Sequence, residues 1–188
     1  MKRGLAEANK GEAVRHGVDI AIIGKPNAGK STLLNALAGR EAAIVSSEAG
    51  TTRDIVSIYT VLAGLQVRLS DTAGLRETEN LIEAEGVKRA LKLAGEADIR
   101  IGVIDSTDLK SLPELTKELS RGDILIFSKS DLATRDYPNV SRETFKSLSV
   151  NMSDKSDIEK LHDILEAEVL DRFAVGDDAG LTRARHRD

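Results

Sequence analysis

A glycine-rich octapeptide between an apolar run and a helical pattern constrains the fold of this chain more than any other feature. The octapeptide GKPNAGKS follows VDIAII and precedes TLLNALAG, and it has the G-x-x-x-x-G-K-[ST] pattern of a phosphate-binding loop. Backbone N–H groups must point at phosphates there, so Gly24 and Gly29 must adopt turns that a side chain would obstruct. Lys30 would reach the β and γ phosphates, and Ser31 would ligate magnesium. The octapeptide predicts a nucleotide-binding domain; a glycine-rich turn without function is the alternative.

The rest of the chain alternates apolar runs with helical patterns, which is typical of a mostly parallel sheet with helices on both faces. Only Ala63 and Gly64 separate the second and third candidate strands, too few for a crossover helix, so this pair should be an antiparallel hairpin. The predicted fold class is α/β, with one antiparallel strand. The candidate strands are 18–24, 54–62, 65–71, 99–105, 123–128 and 145–150, and the candidate helices are 30–39, 81–95, 111–120 and 156–172.

Composition excludes several classes of protein. The 188 residues fit one domain, and 40% hydrophobic with 31% charged residues is the balance of a soluble globular protein. No apolar run approaches the roughly 20 residues that a bilayer requires, so no membrane partner is expected. The absence of cysteine excludes disulfides and thiolate metal sites, and the start lacks a secretion signal, so a cytoplasmic location is expected. A net charge of −4 does not favour direct binding of nucleic acid.

Two further motifs lie where the terminal phosphate and its magnesium ion would be held. DTAG begins at Asp71, at a strand end, where a carboxylate can hold Mg²⁺ through water and the Gly74 N–H can reach the γ phosphate. The polar loop AGTTRD, residues 49–54, places Thr52 to give Mg²⁺ a hydroxyl and Thr51 to give a further oxygen. A simple turn and a helix or strand cap are the alternatives for the two motifs.

Base selection is expected from FSKSD, at the end of a later strand. The Asp131 carboxylate can accept from N1–H and the exocyclic amine of guanine, a donor pair that adenine lacks, and Lys129 can lay its stem along the base. The usual guanine signature is Asn-Lys-x-Asp, and Ser128 replaces the asparagine, so some loss of base affinity or loop rigidity is expected. In SLSVN, Ser149 and the N–H of Val150 would close over the base, or the segment is an ordinary strand end.

The residue after DTAG raises a question about hydrolysis. It is Leu75, where the best-known nucleotide switches have a glutamine that orients the attacking water. Another group must position that water if the chain hydrolyses a nucleotide. Four acidic residues follow closely, although a solvated helix face would explain them equally well: Glu77, Glu79, Glu83 and Glu85.

These motifs in this order resemble the tRNA modification GTPases of the MnmE or TrmE family, over nearly all of 19–77. The resemblance implies a Ras-like P-loop GTPase domain, the G domain, at residues 17–173, which binds GTP or GDP with Mg²⁺ and hydrolyses GTP. In that family the G domain interrupts a helical domain. Residues 1–16 would then be a remnant of the helical domain, and 174–188 a linker and the start of the returning helical segment.

The resemblance also suggests how the missing glutamine is replaced. In the family a K⁺ ion lies beside the phosphates, and two G domains meet across their switch regions to complete its shell. Asn27 matches the family's potassium ligand, and Ser46, Glu48 and Thr51 match the loop that wraps the ion, the first two through backbone carbonyls. Glu83 matches the glutamate that orients the attacking water, so it is the predicted catalytic carboxylate.

The resemblance further implies a machine that modifies the wobble uridine of tRNA, with a flavin-dependent partner subunit and with tRNA engaged indirectly. A ribosome-assembly GTPase of the Era or EngA type is the alternative function, and a nucleotide-binding module with negligible turnover is a third. The predicted nucleotide and ion contacts are Asn27, Ala28, Gly29, Lys30, Ser31, Thr32, Ser46, Ser47, Glu48, Ala49, Gly50, Thr51, Thr52, Asp71, Thr72, Ala73, Gly74, Ser128, Lys129, Asp131, Ser149 and Val150.

Overall fold

The computed structural model describes residues 17–39, 44–47, 56–71, 94–133 and 145–173. Within these residues one seven-stranded sheet has the order β2-β3-β4-β1-β5-β6-β7. The strands are β1 (Val18–Ile23), β2 (Ile44–Ser47), β3 (Val56–Leu62), β4 (Leu65–Asp71), β5 (Ile99–Asp105), β6 (Ile124–Ser128) and β7 (Lys146–Val150), and the helices are α1 (Lys30–Ala38), α2 (Leu112–Glu118) and α3 (Lys155–Phe173).

The strand directions confirm the predicted α/β fold with one antiparallel strand. Strands β4, β1, β5, β6 and β7 are parallel, whereas β3 is antiparallel to both of its neighbours. Ala63 and Gly64 close the β3–β4 hairpin with φ of 53° and 79°. Positive φ at both central residues is typical of a type I′ turn, which is common in two-residue hairpins. The turn is also tied to α3, because the Ala63 N–H donates to Glu166 Oε1 at 3.2 Å.

Strand β2 is a difference from the sequence-based expectation, which has no strand between 39 and 54. It lies at the edge of the sheet, where Ile44 is opposite Tyr59 and Ser47 is opposite Val56. Four residues are too few to show a period, so pairing with β3 rather than local pattern makes this segment a strand. Of the predicted helix 81–95, residues 94–96 are helical and 81–93 lie outside the described residues.

The core lies on both faces of the sheet, as the strand alternation requires. In β1, Ile20 and Ile22 point to the face covered by α1 and α3, and Ala21 and Ile23 point to the face covered by α2. Burial on both faces explains why β1 is apolar at every position except Asp19. Among the described helices, none is long and apolar enough to cross a bilayer.

The amino end of the parallel strands is closed by a group of charged side chains, here named the basal cluster: Arg100, Asp123, Lys146, Glu168 and Arg172. Glu168 on α3 accepts from Arg172 Nε at 3.0 Å and pairs with Lys146 Nζ at 2.7 Å. Arg172 also donates to the carbonyl of Asp98 at 2.5 Å. Asp123 accepts from the backbone N–H groups of Arg100 at 3.0 Å and Ser120 at 2.7 Å.

Candidate nucleotide-binding site

The loop between β1 and α1 has the backbone that phosphate binding demands. Gly24, Asn27 and Gly29 have φ of 148°, 61° and 97°, all in the region that favours glycine. A Cβ at Gly24 would collide with the carbonyl oxygen of Val103 on β5, so only glycine fits there. Gly29 is the N-cap residue of α1 and has no side chain that could compete with a ligand for the first N–H groups of the helix.

Lys30 puts a positive charge inside this loop. Its side chain belongs to the first turn of α1 and is only 3% exposed, and its Nζ donates to the carbonyl of Lys25 at 2.5 Å, across the loop. Burial of an ammonium group costs free energy unless the group is well bonded. Anionic phosphate oxygens in the loop would stabilise this charge. The contact between Lys30 and the β and γ phosphates stays a prediction.

Two predicted magnesium ligands, forty positions apart in the sequence, lie side by side. The Ser31 hydroxyl at the start of α1 donates to Asp71 Oδ2 at 2.5 Å, and Asp71 is 3% exposed at the end of β4. One carboxylate and one hydroxyl beside a phosphate loop are hard oxygen donors of the kind that Mg²⁺ prefers, so the described residues fit the ion. Parallel pairing of β1 with β4 produces this contact, since Ile22 is opposite Asp71.

Ser128 has a role that its sequence position did not indicate. It is fully buried, and its hydroxyl lies 2.6 Å from the carbonyl oxygen of Ala28 and 3.1 Å from that of Ile104, sharing its proton between them. It therefore ties the end of β6 to the phosphate loop. The expected loss of loop rigidity stays a prediction, but the shorter serine arm does reach the loop.

Residues 128–131, the base motif, contain two charged side chains, Lys129 and Asp131. Asp131 is exposed, which leaves its carboxylate accessible to an incoming base. Lys129 has φ of 53° and forms an ion pair with Asp105 at the end of β5. Burial raises the pKa of Asp105, but hydrogen bonds from Lys129 and Thr107 outweigh it, so the pKa lies below its ordinary value.

Asp105 was not among the predicted site residues. The available signal was an acidic residue at the carboxyl end of a strand, which is where ligands bind in parallel sheets.

The end of β7 lies next to the base motif, and closure of Ser149 and Val150 over the base stays a prediction. Val150 is opposite Ser128 in the parallel pair β6–β7, and Ser149 is half-buried. The following residue is held by α3, because the Asn151 N–H donates to Asp157 Oδ2 at 3.0 Å. This N–H, with help from Lys160, lowers the pKa of Asp157 from its ordinary value.

The remaining predicted residues are only partly covered. Asn27 and Thr32 are exposed around the phosphate loop, and Ser46 and Ser47 lie in β2, where only their backbone is described. The others lie outside the described residues: Glu48, Ala49, Gly50, Thr51, Thr52, Thr72, Ala73, Gly74 and Glu83.

Comparison with known proteins gives a consistent result. A family model described as 50S ribosome-binding GTPase matches residues 19–129. Proteins named tRNA modification GTPase MnmE are similar over the chain: 42% identity in Phenylobacterium zucineum over 100% of this chain and 43% of that protein, and 46% in Maricaulis maris over 97% and 40%. The chain thus spans about two fifths of the length of these curated relatives.

Solved structures share the fold. The G domain of the T. maritima FeoB iron transporter has a TM-score of 0.60 at 25% identity, covering 81% of this chain and 98% of that one. Era from Aquifex aeolicus, bound to GDP and AlF4⁻, has a TM-score of 0.53 at 26% identity, covering 85% and 57%.

Proposed function

We propose that K⁺ and a second G domain complete the active site of this chain. The chain belongs to the GTPase family matched over residues 19–129 and is similar to MnmE proteins over its length. The chain hydrolyses GTP to GDP and phosphate, as its family does. The observation that carries the proposal is the similarity to MnmE proteins, at 42–46% identity, over essentially all of the chain.

The described residues suit binding of GTP with Mg²⁺. Lys30 would neutralise the β and γ phosphates, and Ser31 and Asp71 would hold the ion together with Thr52. Mg²⁺ would supply positive charge that offsets the negative charge of the β and γ phosphates. The Gly74 N–H would donate a hydrogen bond to the γ phosphate, and this bond would distinguish GTP from GDP.

Potassium would supply the positive charge that other GTPases take from an arginine. Asn27 supports this, because it lies exposed in the phosphate loop and its φ of 61° turns the backbone there. The further ligands would be Ser46 and Glu48 through their carbonyls, and Thr51. A cation with hard oxygen ligands next to the phosphates stabilises the transition-state charge, a role whose arginine version is worth about 10³ to 10⁵ in rate.

Glu83 would orient the attacking water in place of the glutamine that Leu75 replaces. A carboxylate accepts a hydrogen bond from water, directly or through a second water. The water oxygen would form the new bond to the γ phosphorus as the bond to the β–γ bridging oxygen breaks, the water proton would pass to the released phosphate, and GDP would leave. A second G domain contacting the switch regions would bring Glu83 to the phosphates.

In the full-length protein this cycle would drive modification of the wobble uridine of tRNA in the cytoplasm. The chemistry on the base would lie outside this domain, in a complex with a flavin-dependent partner subunit. The similarity to proteins named tRNA modification GTPase MnmE supports the role in tRNA modification.

An Era-type function in ribosome assembly is the second candidate, favoured by the fold similarity to Era at 26% identity. A KH-like RNA-binding domain or a second G domain after residue 188 in the full protein would support it. A returning helical segment there would support the MnmE-type function.

Turnover in K⁺ and in Na⁺, each at several protein concentrations, tests the proposal. We expect the rate per molecule to rise with K⁺ and with protein concentration, because two domains complete the site. Glu83→Ala should lose at least a hundredfold in kcat, because no side chain then orients the attacking water, and Glu79→Ala is the matched control. Equal slow rates in both salts, unchanged in the two variants, would show a nucleotide-binding module instead.

A further inference from the structure

The carboxylate of Asp105 lies beside the base motif, but Asp105 belongs to none of the motifs that the sequence predicts to bind the nucleotide. We propose that Asp105 is a positioning residue for guanine binding, which acts by fixing the side chain of Lys129 before the nucleotide arrives. The inference rests on the proposed guanine site and adds a residue to it.

Both oxygens of the Asp105 carboxylate are engaged. Oδ2 pairs with Lys129 Nζ, and Oδ1 accepts from the Thr107 N–H at 2.9 Å and from the Thr107 hydroxyl at 2.6 Å. The Ser106 N–H donates to the carbonyl of Ser128 at 3.0 Å, which fixes the β5 end against the β6 end. The carboxylate therefore has one orientation, and that orientation faces Lys129.

Lys129 is a residue that needs such a partner. Its φ of 53° is unfavourable for a side chain with a Cβ, and lysine has more rotamers to lose than almost any other residue. Its side chain is 38% exposed, so packing alone does not hold it. The ion pair selects one direction for the stem, and a stem already in place binds a flat base at lower entropic cost.

The consequence should depend on the base and not on the phosphates. GTP and GDP carry the same guanine, so loss of Asp105 should weaken both equally. Hydrolysis would take place at the γ phosphate, and the residues predicted to surround that phosphate, Lys30 and Asp71 among them, belong to segments other than the base motif. The rate at saturating GTP should therefore be unchanged.

A neighbouring residue separates this role from ordinary loop stability. Asp108 carries the same charge three positions later and also caps a turn, since it accepts from the Lys110 N–H at 3.2 Å. It has no described bond to Lys129. Asp105→Asn and Asp108→Asn change charge and loop capping alike, but only the first removes the ion pair.

The test measures GTP, GDP and ATP affinity and kcat for the wild type, the two variants, Lys129→Met and the double variant Asp105→Asn/Lys129→Met. Asp105→Asn should weaken GTP and GDP about tenfold, the scale of a bond to a charged group, and leave kcat within about twofold. Asp108→Asn should change neither. In the Lys129→Met background, Asp105→Asn should add less than about twofold, because the two residues act as one unit.

Two results would overturn the inference while leaving the guanine site in place: equal affinities for Asp105→Asn and Asp108→Asn, or the same loss with and without Lys129. Equal wild-type affinity for GTP and ATP would overturn the guanine site itself, and this inference with it.

Discussion

The two ends of the parallel sheet both concentrate charged side chains, but the fold uses them differently. At the carboxyl end, Lys30 and Asp71 are bonded to the phosphate loop and the start of α1. At the amino end, Asp123 and Glu168 are bonded to arginine, lysine and backbone groups of the same domain. The first arrangement is suited to a ligand, and the second is complete in itself.

The difference teaches where a substitution should act. Charges that face a ligand cost stability when the ligand is absent, so removing one should lower activity and spare the fold. Charges that are bonded to each other hold α3 against the starts of β5, β6 and β7, so removing one should lower stability and spare catalysis. Active sites commonly show this trade between stability and activity.

Replacing Lys30 by alanine gives the largest expected effect. Loss of the charge at the phosphates should lower kcat/KM for GTP about a thousandfold, or ~4 kcal/mol, while the melting temperature of the ligand-free domain stays equal or rises. Steady-state kinetics and thermal unfolding measure the two. Lys25→Ala is the matched control, because its exposed side chain lies in the same loop and should be dispensable. A large fall in melting temperature for Lys30→Ala would contradict the comparison.

Replacing Asp123 by asparagine tests the opposite end. Asp123 is 2% exposed and accepts two backbone N–H groups, with Arg100 Nε at 3.5 Å and Arg172 Nη2 at 3.9 Å. Neutralising this buried carboxylate leaves two half-buried guanidinium groups poorly compensated, so the free energy of unfolding should fall by about 3 kcal/mol, as measured by urea denaturation. The kcat at saturating GTP, below the melting temperature, should match the wild type. A parallel loss of kcat would show that the two ends are not independent.

Replacing Asp157 by asparagine sharpens the comparison with a smaller effect. Asp157 is charged and lies at the carboxyl end, yet it serves the fold by accepting the Asn151 N–H. Its pKa is lowered in the folded state, so its contribution is present above its ordinary value of about 3.9 and is lost as the pH falls through the folded-state pKa.

We therefore expect the free energy of unfolding of the wild type to exceed that of Asp157→Asn by less than about 1 kcal/mol at pH 7. This difference should shrink below about pH 4. Urea denaturation across that range measures it. Asp163→Asn, an exposed carboxylate on α3, is the control. A difference that grows on acidification would have the wrong sign for this account.

Much of the fold was predictable because its signals are local. The octapeptide with its flanking runs located β1, the phosphate loop and α1, and the two-residue connection at Ala63 and Gly64 located the hairpin. Strand β2 was not predictable, since four residues at a sheet edge owe their conformation to a partner elsewhere in the chain.

The sequence motifs predict which residues form the site, but they do not predict all of the hydrogen bonds and ion pairs between them. The order of the motifs predicts that Ser31 and Asp71 hold the same Mg²⁺ ion, and the sheet places their side chains within hydrogen-bonding distance. The bond from Ser128 to Ala28, across one hundred positions, could not be predicted, because a small hydroxyl carries no directional signal in a sequence. The pairing of Asp105 with Lys129 was missed for a related reason: it depends on the register of β5 against β6.

The bond between the hairpin turn and α3 has a mechanical consequence. Strand β4 runs from that turn to Asp71, seven residues or about 20 Å of stiff extended chain. Glu166 therefore anchors the far end of the strand whose near end carries Asp71, the predicted magnesium ligand. A displacement of Asp71 along the strand axis would load this hydrogen bond together with the ladders that join β4 to β1 and β3.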